Sequence, residues 1–102
     1  MRQYDIFDNP SREMRAFAPY LVNLQSHHLH DIESIIVAPL VIDGYRPLTS
    51  VDVPVNLGDE LMVVGVAELS AMFKPASMRR RGSLAHYEDD IRRALEKLFS
   101  GF

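Results

Sequence analysis

Val51-Asp52-Val53-Pro54-Val55-Asn56-Leu57-Gly58-Asp59-Glu60-Leu61-Met62-Val63-Val64-Gly65-Val66 carries the strongest β signal in the chain. Val51, Val53, Val55 and Leu57 recur at every second position, the period of a strand with one buried face. Gly58-Asp59 is a turn by composition. Glu60 to Val66 then carries Leu61, Met62, Val63 and Val64. Two such runs on a short connection predict an antiparallel hairpin.

Upstream, the same signals continue. Gln3 to Phe7 alternates polar and apolar residues, with Tyr4 and Ile6 on one face of a short strand. Asp8 to Arg12 is a turn around Asn9-Pro10, and Ala18-Pro19 discourages a helix before the next strand. Tyr20 to Leu24 is the second strand. Ser26 to Glu33 is polar and histidine-rich, hence a loop. Ile35 to Ala38 is a β-branched run that predicts a strand buried on both faces. Pro39 belongs where no ladder donor is needed, and Asp43-Gly44 marks a further turn.

Downstream, Ala67 to Phe73 is expected to form a short helical turn ended by Lys74-Pro75. The last element is the clearest. Leu84, Tyr87, Ile91, Ala94, Leu95, Leu98 and Phe102 follow each other at three- and four-residue steps, which lines one helical face. The spacing predicts a helix over about 84–100, with Ser83 as N-cap and Gly101 as a left-handed stop. Glu88, Asp89 and Asp90 come first and Arg92, Arg93 and Lys97 later, as the helix dipole favours. The expectation is mainly β: an antiparallel β domain closed by one C-terminal helix.

Composition bounds the function. The 102 residues suit a single domain over 1–102, and 47% apolar content predicts a packed core. A net charge of −3 argues against a standalone nucleic-acid binder. With no cysteine, disulfides, thiolate metal sites and cysteine nucleophiles are excluded. The polar start Met1-Arg2-Gln3-Tyr4-Asp5 lacks a signal-peptide core, and no apolar run approaches the ~20 residues of a membrane span. A cytoplasmic protein without membrane association is expected.

Four groups of side chains are candidates for chemistry or binding. His27, His28, His30 and Asp31 have the donor types of a zinc or nickel site, or form a solvated loop. Arg79-Arg80-Arg81 can grip phosphate or an acidic partner, against the preferred reading of a solvated loop. Ser50, Ser70, Ser83 and Ser100 sit in no nucleophile motif, and no phosphate-binding loop or metalloprotease motif occurs. No catalytic residue and no cofactor are expected. The tail Leu98-Phe99-Ser100-Gly101-Phe102 places two aromatics around a Ser-Gly. They are either exposed binding anchors or packed on the sheet.

The segment Asp90 to Phe102, DIRRALEKLFSGF, resembles the C-terminal helix of CcdB toxins. YLVNLQS (Tyr20 to Ser26), IIVAPL (Ile35 to Leu40) and VPVNLGDELMVV (Val53 to Val64) resemble that family's strands and hairpin in the same order. The resemblance implies an SH3-like barrel with an additional antiparallel sheet and a C-terminal helix, assembled as a homodimer. It implies a protein that is not an enzyme and has no cofactor. It further implies binding to the A subunit of DNA gyrase, with trapping of the cleaved DNA complex. It implies neutralisation by a CcdA-like antitoxin, and a toxin–antitoxin complex that binds operator DNA. Carried over, the gyrase-binding positions are Ser26, His28, Leu29, Glu96, Phe99, Ser100, Gly101 and Phe102, with Arg79, Arg80 and Arg81 as a dock for acidic antitoxin residues. Ser100 departs from the family pattern, which has a stacking tryptophan there. His27 and His28 replace acidic and aliphatic residues. Three readings follow: a gyrase poison, a relative that binds antitoxin without poisoning gyrase, and a metal-binding module built on His27, His28 and His30.

Overall fold

The computed structural model describes residues 2–26, 28–29, 31–75 and 78–101. Seven antiparallel strands form a curled half-barrel sheet, followed by the C-terminal helix. The strands are β1 (Asp5–Asp8), β2 (Tyr20–Asn23), β3 (Ser34–Ile42), β4 (Asp52–Leu57), β5 (Glu60–Gly65), β6 (Ser70–Phe73) and β7 (Arg80–Ser83). The helix α1 spans Glu88–Ser100. The order across the sheet is β4-β5-β3-β2-β1-β7, with β6 also paired to β3.

The hairpin forms as its alternation predicts. β4 and β5 pair from Asp52↔Gly65 to Leu57↔Glu60, and Gly58 turns the chain at φ 63°. β3 is the long shared strand. One edge pairs with β2. The other pairs with β6 over Ser34–Val37 and with β5 over Leu40–Ile42. Pro39 falls in the gap between those two partners, so its missing N–H breaks no ladder on that edge.

Period-two alternation sorts the apolar residues onto two faces. Ile6, Val22, Ala38, Leu40, Val53, Val55, Met62 and Val64 lie in the larger core with Leu84, Ile91 and Ala94 from the helix side. Phe7, Leu21, Ile35 and Val37 form a second cluster. β1 to β3 are thus buried on both faces, and each fully buried aliphatic or phenyl side chain contributes about 2 kcal/mol.

Three sequence expectations need correction. Ala67 to Phe73 is not a helical turn: a 3-10 turn covers only Val66–Glu68, and β6 follows. Pairing with β3 outweighs the weak local preference of Ser70-Ala71-Met72-Phe73. The arginine run is not a solvated loop throughout, since Arg80 and Arg81 lie on β7. The helix proper begins at Glu88, after a 3-10 turn at Ala85–Tyr87. Ser83 is the N-cap of neither: Leu84 and Tyr87 hold those positions, and the Ser83 Oγ makes only a local bond, accepting from the Ala85 N–H at 3.1 Å. Gly101 ends α1 in the left-handed region (φ 77°), its N–H reaching the Lys97 carbonyl at 2.9 Å.

Candidate partner-binding surface

The tail is presented by a helix fastened at its other end. Leu84, Ile91 and Ala94 are buried, while Tyr87 and Leu95 pack at the margin of the core. The Tyr87 hydroxyl accepts a hydrogen bond from the Asn56 N–H at 2.9 Å. Phe99 leaves this stripe and is 73% exposed. Glu96, Ser100 and Gly101 are exposed beside it. The packed-on-the-sheet reading therefore fails for Phe99, while Phe102 lies outside the described residues. An exposed aromatic on a helix surface is the kind of group that anchors an interface.

Ser26, His28 and Leu29 share one turn between β2 and β3. The His28 N–H reaches Ser26 Oγ at 3.2 Å and the Leu29 N–H reaches the Ser26 carbonyl at 3.3 Å. Leu29 is exposed. The base of the loop is tied by Gln25, whose Nε2 donates to the Ser34 carbonyl at 3.0 Å. His27 and His30, two members of the candidate metal cluster, lie outside the described residues. Among the described residues no group of three His, Cys, Asp or Glu side chains is arranged to hold a metal ion.

The three arginines divide. Arg81 forms a two-pronged pair with Asp8, Nε to Oδ1 at 2.9 Å and Nη2 to Oδ2 at 2.8 Å. The pairing between β1 and β7 shifts between Ile6 and Phe7, so Arg81 is the extra residue of a bulge. Its hydrogen bond holds the Asp8 carboxyl below the usual carboxylate value, with the charges of Arg81, Arg15 and Arg79 adding to it. The same bond raises the Arg81 guanidinium. Arg80 Nε lies 3.1 Å from Oδ1 of buried Asp5. Arg79 stands exposed just before β7. Two of the three candidate antitoxin contacts thus already hold β7 to β1.

Sequence reasoning missed one charged network. Arg46 grips Asp52 with both Nη atoms, at 2.8 and 3.0 Å, and also pairs with Glu68. The Thr49 N–H adds a 2.6 Å bond to Asp52 Oδ2. The Asp52 carboxyl is pulled below its ordinary value, first by the Arg46 hydrogen bond and then by Thr49. These contacts clamp the β3–β4 loop onto the 3-10 turn after β5. Nothing in the sequence signals it, because the partners stand 6 and 22 residues away. Tyr45 of the same loop stacks on Phe17, with ring centroids 4.7 Å apart.

A family model described as CcdB protein matches residues 3–101. The chain belongs to the CcdB family. No curated protein sequence matches it. CcdB membership fits the curled antiparallel sheet closed by one helix, and it covers every strand and the tail up to Gly101. No helix among the described residues is long and apolar enough to cross a membrane.

Proposed function

We propose that this CcdB-family chain is the toxin of a type II toxin–antitoxin pair that binds the A subunit of DNA gyrase and traps its cleaved DNA complex. The observation that carries the reading is the exposed Phe99-Ser100-Gly101 end of α1 on a chain whose family match runs through it. Phe99, Ser100, Gly101 and Phe102 provide the main contact, with Glu96 on the helix and Ser26, His28 and Leu29 on the loop. The toxin acts by binding and not by catalysis. It works as a cytoplasmic, single-domain homodimer, is neutralised by a CcdA-like antitoxin, and meets operator DNA only in complex with that antitoxin. Arg79 is the arginine best placed to receive acidic antitoxin residues, because Arg80 and Arg81 are held by Asp5 and Asp8.

Ser100 favours a second reading. Serine cannot stack as the family's tryptophan does, and losing one central aromatic contact costs about 2–4 kcal/mol at an interface hot spot. The chain would then bind antitoxin without poisoning gyrase. Supercoiling and DNA-cleavage assays with purified bacterial gyrase, run on the native protein and on Ser100→Trp, separate the two. Inhibition by the native protein supports the poison. Inhibition by the variant alone supports the second reading, and inhibition by neither overturns the gyrase assignment.

A further inference from the structure

Tyr4 has φ 69°, alone among the described non-glycine residues in being positive. A bulky side chain rarely adopts that conformation, and it persists only where the surroundings over-determine it. Three sets of contacts do so here. The Tyr4 N–H donates to the Asn23 carbonyl at 2.6 Å. Its carbonyl accepts from the Leu84 N–H at 2.8 Å. Its ring is buried in the main core with Leu24, Leu84 and Ile91. Its phenol lies within the field of Glu88, Asp89 and Arg92 on the first turns of α1, and burial raises it above the ordinary tyrosine value.

The left-handed conformation has a geometric consequence. In a regular antiparallel strand the N–H and C=O of one residue face the same neighbour. Those of Tyr4 face opposite neighbours: the end of β2 on one side, the segment leading into α1 on the other. Asn23 is the last residue of β2, and its side chain fixes the start of the loop that follows. Its Oδ1 accepts from the Gln25 N–H at 3.0 Å, and its Nδ2 donates to the Arg2 carbonyl at 3.0 Å. Leu84 is the residue from which the Ala85–Tyr87 turn and α1 depart. Tyr4 therefore joins the stem of the Ser26–Leu29 loop to the stem of the helix that presents Phe99.

We propose that Tyr4 is a positioning residue for partner binding, a left-handed joint that sets the Ser26–Leu29 loop relative to α1 and its tail. The inference rests on the reading that these two segments together bind the gyrase A subunit. The test measures the Kd of each folded variant for the purified A subunit of bacterial gyrase, with circular dichroism confirming folding. Tyr4→Asn removes the ring but accepts the left-handed backbone; Tyr4→Ala removes the ring and resists it. Val55→Ala, in the same core but on neither stem, controls for lost stability.

Tyr4→Asn is expected to bind within about threefold of the native protein and Tyr4→Ala about tenfold more weakly, the usual size of a coupling between parts of a site. Val55→Ala is expected to keep the native Kd. Equal Kd values for the Asn and Ala variants, or a matching loss in Val55→Ala, overturn the proposal. Should Tyr4→Ala not fold, Tyr4→Gly is measured beside Tyr4→Asn: glycine adopts the left-handed backbone freely and is expected to bind within about threefold of the native protein, and a loss of about tenfold in it overturns the proposal. Failure of the native protein to bind overturns the gyrase reading itself, a separate outcome.

Discussion

The Tyr87 hydroxyl closes the outer edge of β4 by accepting the Asn56 N–H at 2.9 Å. Alternate residues of an antiparallel edge strand point their N–H groups away from the partner. On β4 these are Asp52, Pro54 and Asn56. The Asp52 N–H goes to the Thr49 carbonyl, proline has none, and Asn56 goes to Tyr87. No outward donor of this edge is left to template another strand. Tyr87→Phe should lower stability by about 1 kcal/mol, the net worth of one hydrogen bond. Combined with Pro54→Val it should promote association beyond the proposed homodimer, read by sedimentation, with urea denaturation reading the stability change.

The Arg46–Asp52 clamp should show in the pH dependence of stability. The Asp52 carboxyl is lowered in the folded state from an ordinary value of 3.8, so the unfolded chain binds the proton more readily. The stabilisation is full above pH 3.8 and is lost as pH falls through the lowered folded value. Asp52→Asn should cost about 2 kcal/mol at pH 7, as for a hydrogen-bonded charged group. Its difference from the native protein should shrink below pH 3.8, measured by urea denaturation across the pH range.

Phe99 and Ile91 lie on one helix yet should answer opposite assays. Phe99 is largely exposed and Ile91 fully buried. Phe99→Ala should leave stability within about 0.5 kcal/mol while weakening gyrase binding by about 2 kcal/mol. Ile91→Ala should cost about 3 kcal/mol of stability through a cavity. Calorimetric binding and thermal unfolding on the same samples check both.

Charge reversal at the arginines should separate folding from recognition. Arg79→Glu should weaken binding of the antitoxin and leave the melting temperature unchanged. Arg80→Glu should lower the melting temperature by setting a second carboxylate against buried Asp5. Unchanged antitoxin affinity in Arg79→Glu removes that residue from the docking surface.

Gly101 should resist replacement. At φ 77° an L side chain meets strain of about 1–2 kcal/mol. Gly101→Val should therefore fray the last helical turn, seen as faster amide exchange at Gly101's neighbours, and weaken gyrase binding with little loss of global stability.

Elements whose signal is local were legible in the sequence. The alternation of Val51 to Leu57 around Gly58-Asp59 set the hairpin, because a period of two leaves only one way to bury those valines. The stripe set the helix face from Ile91 to Leu95, while Leu98, expected on the same face, stays exposed; Gly101 set the helix end. The exposure of Phe99 was half legible: its departure from the stripe marked it, and only the packing of α1 placed its ring in solvent.

Elements whose energy comes from distant partners were not legible. Ser70–Phe73 and Arg80–Ser83 carry weak strand preferences and became strands because β3 and β1 offered unpaired edges. The bulge that sends Arg81 to Asp8 joins residues 73 positions apart. The left-handed Tyr4 is visible only once Asn23 and Leu84 flank it. Where apolar faces repeat and where the chain must turn follow from the amino-acid order, since those depend on neighbours along the backbone. Which edges pair, which charges meet and which aromatics stay in water follow from the folded arrangement, since those depend on groups that only folding brings together.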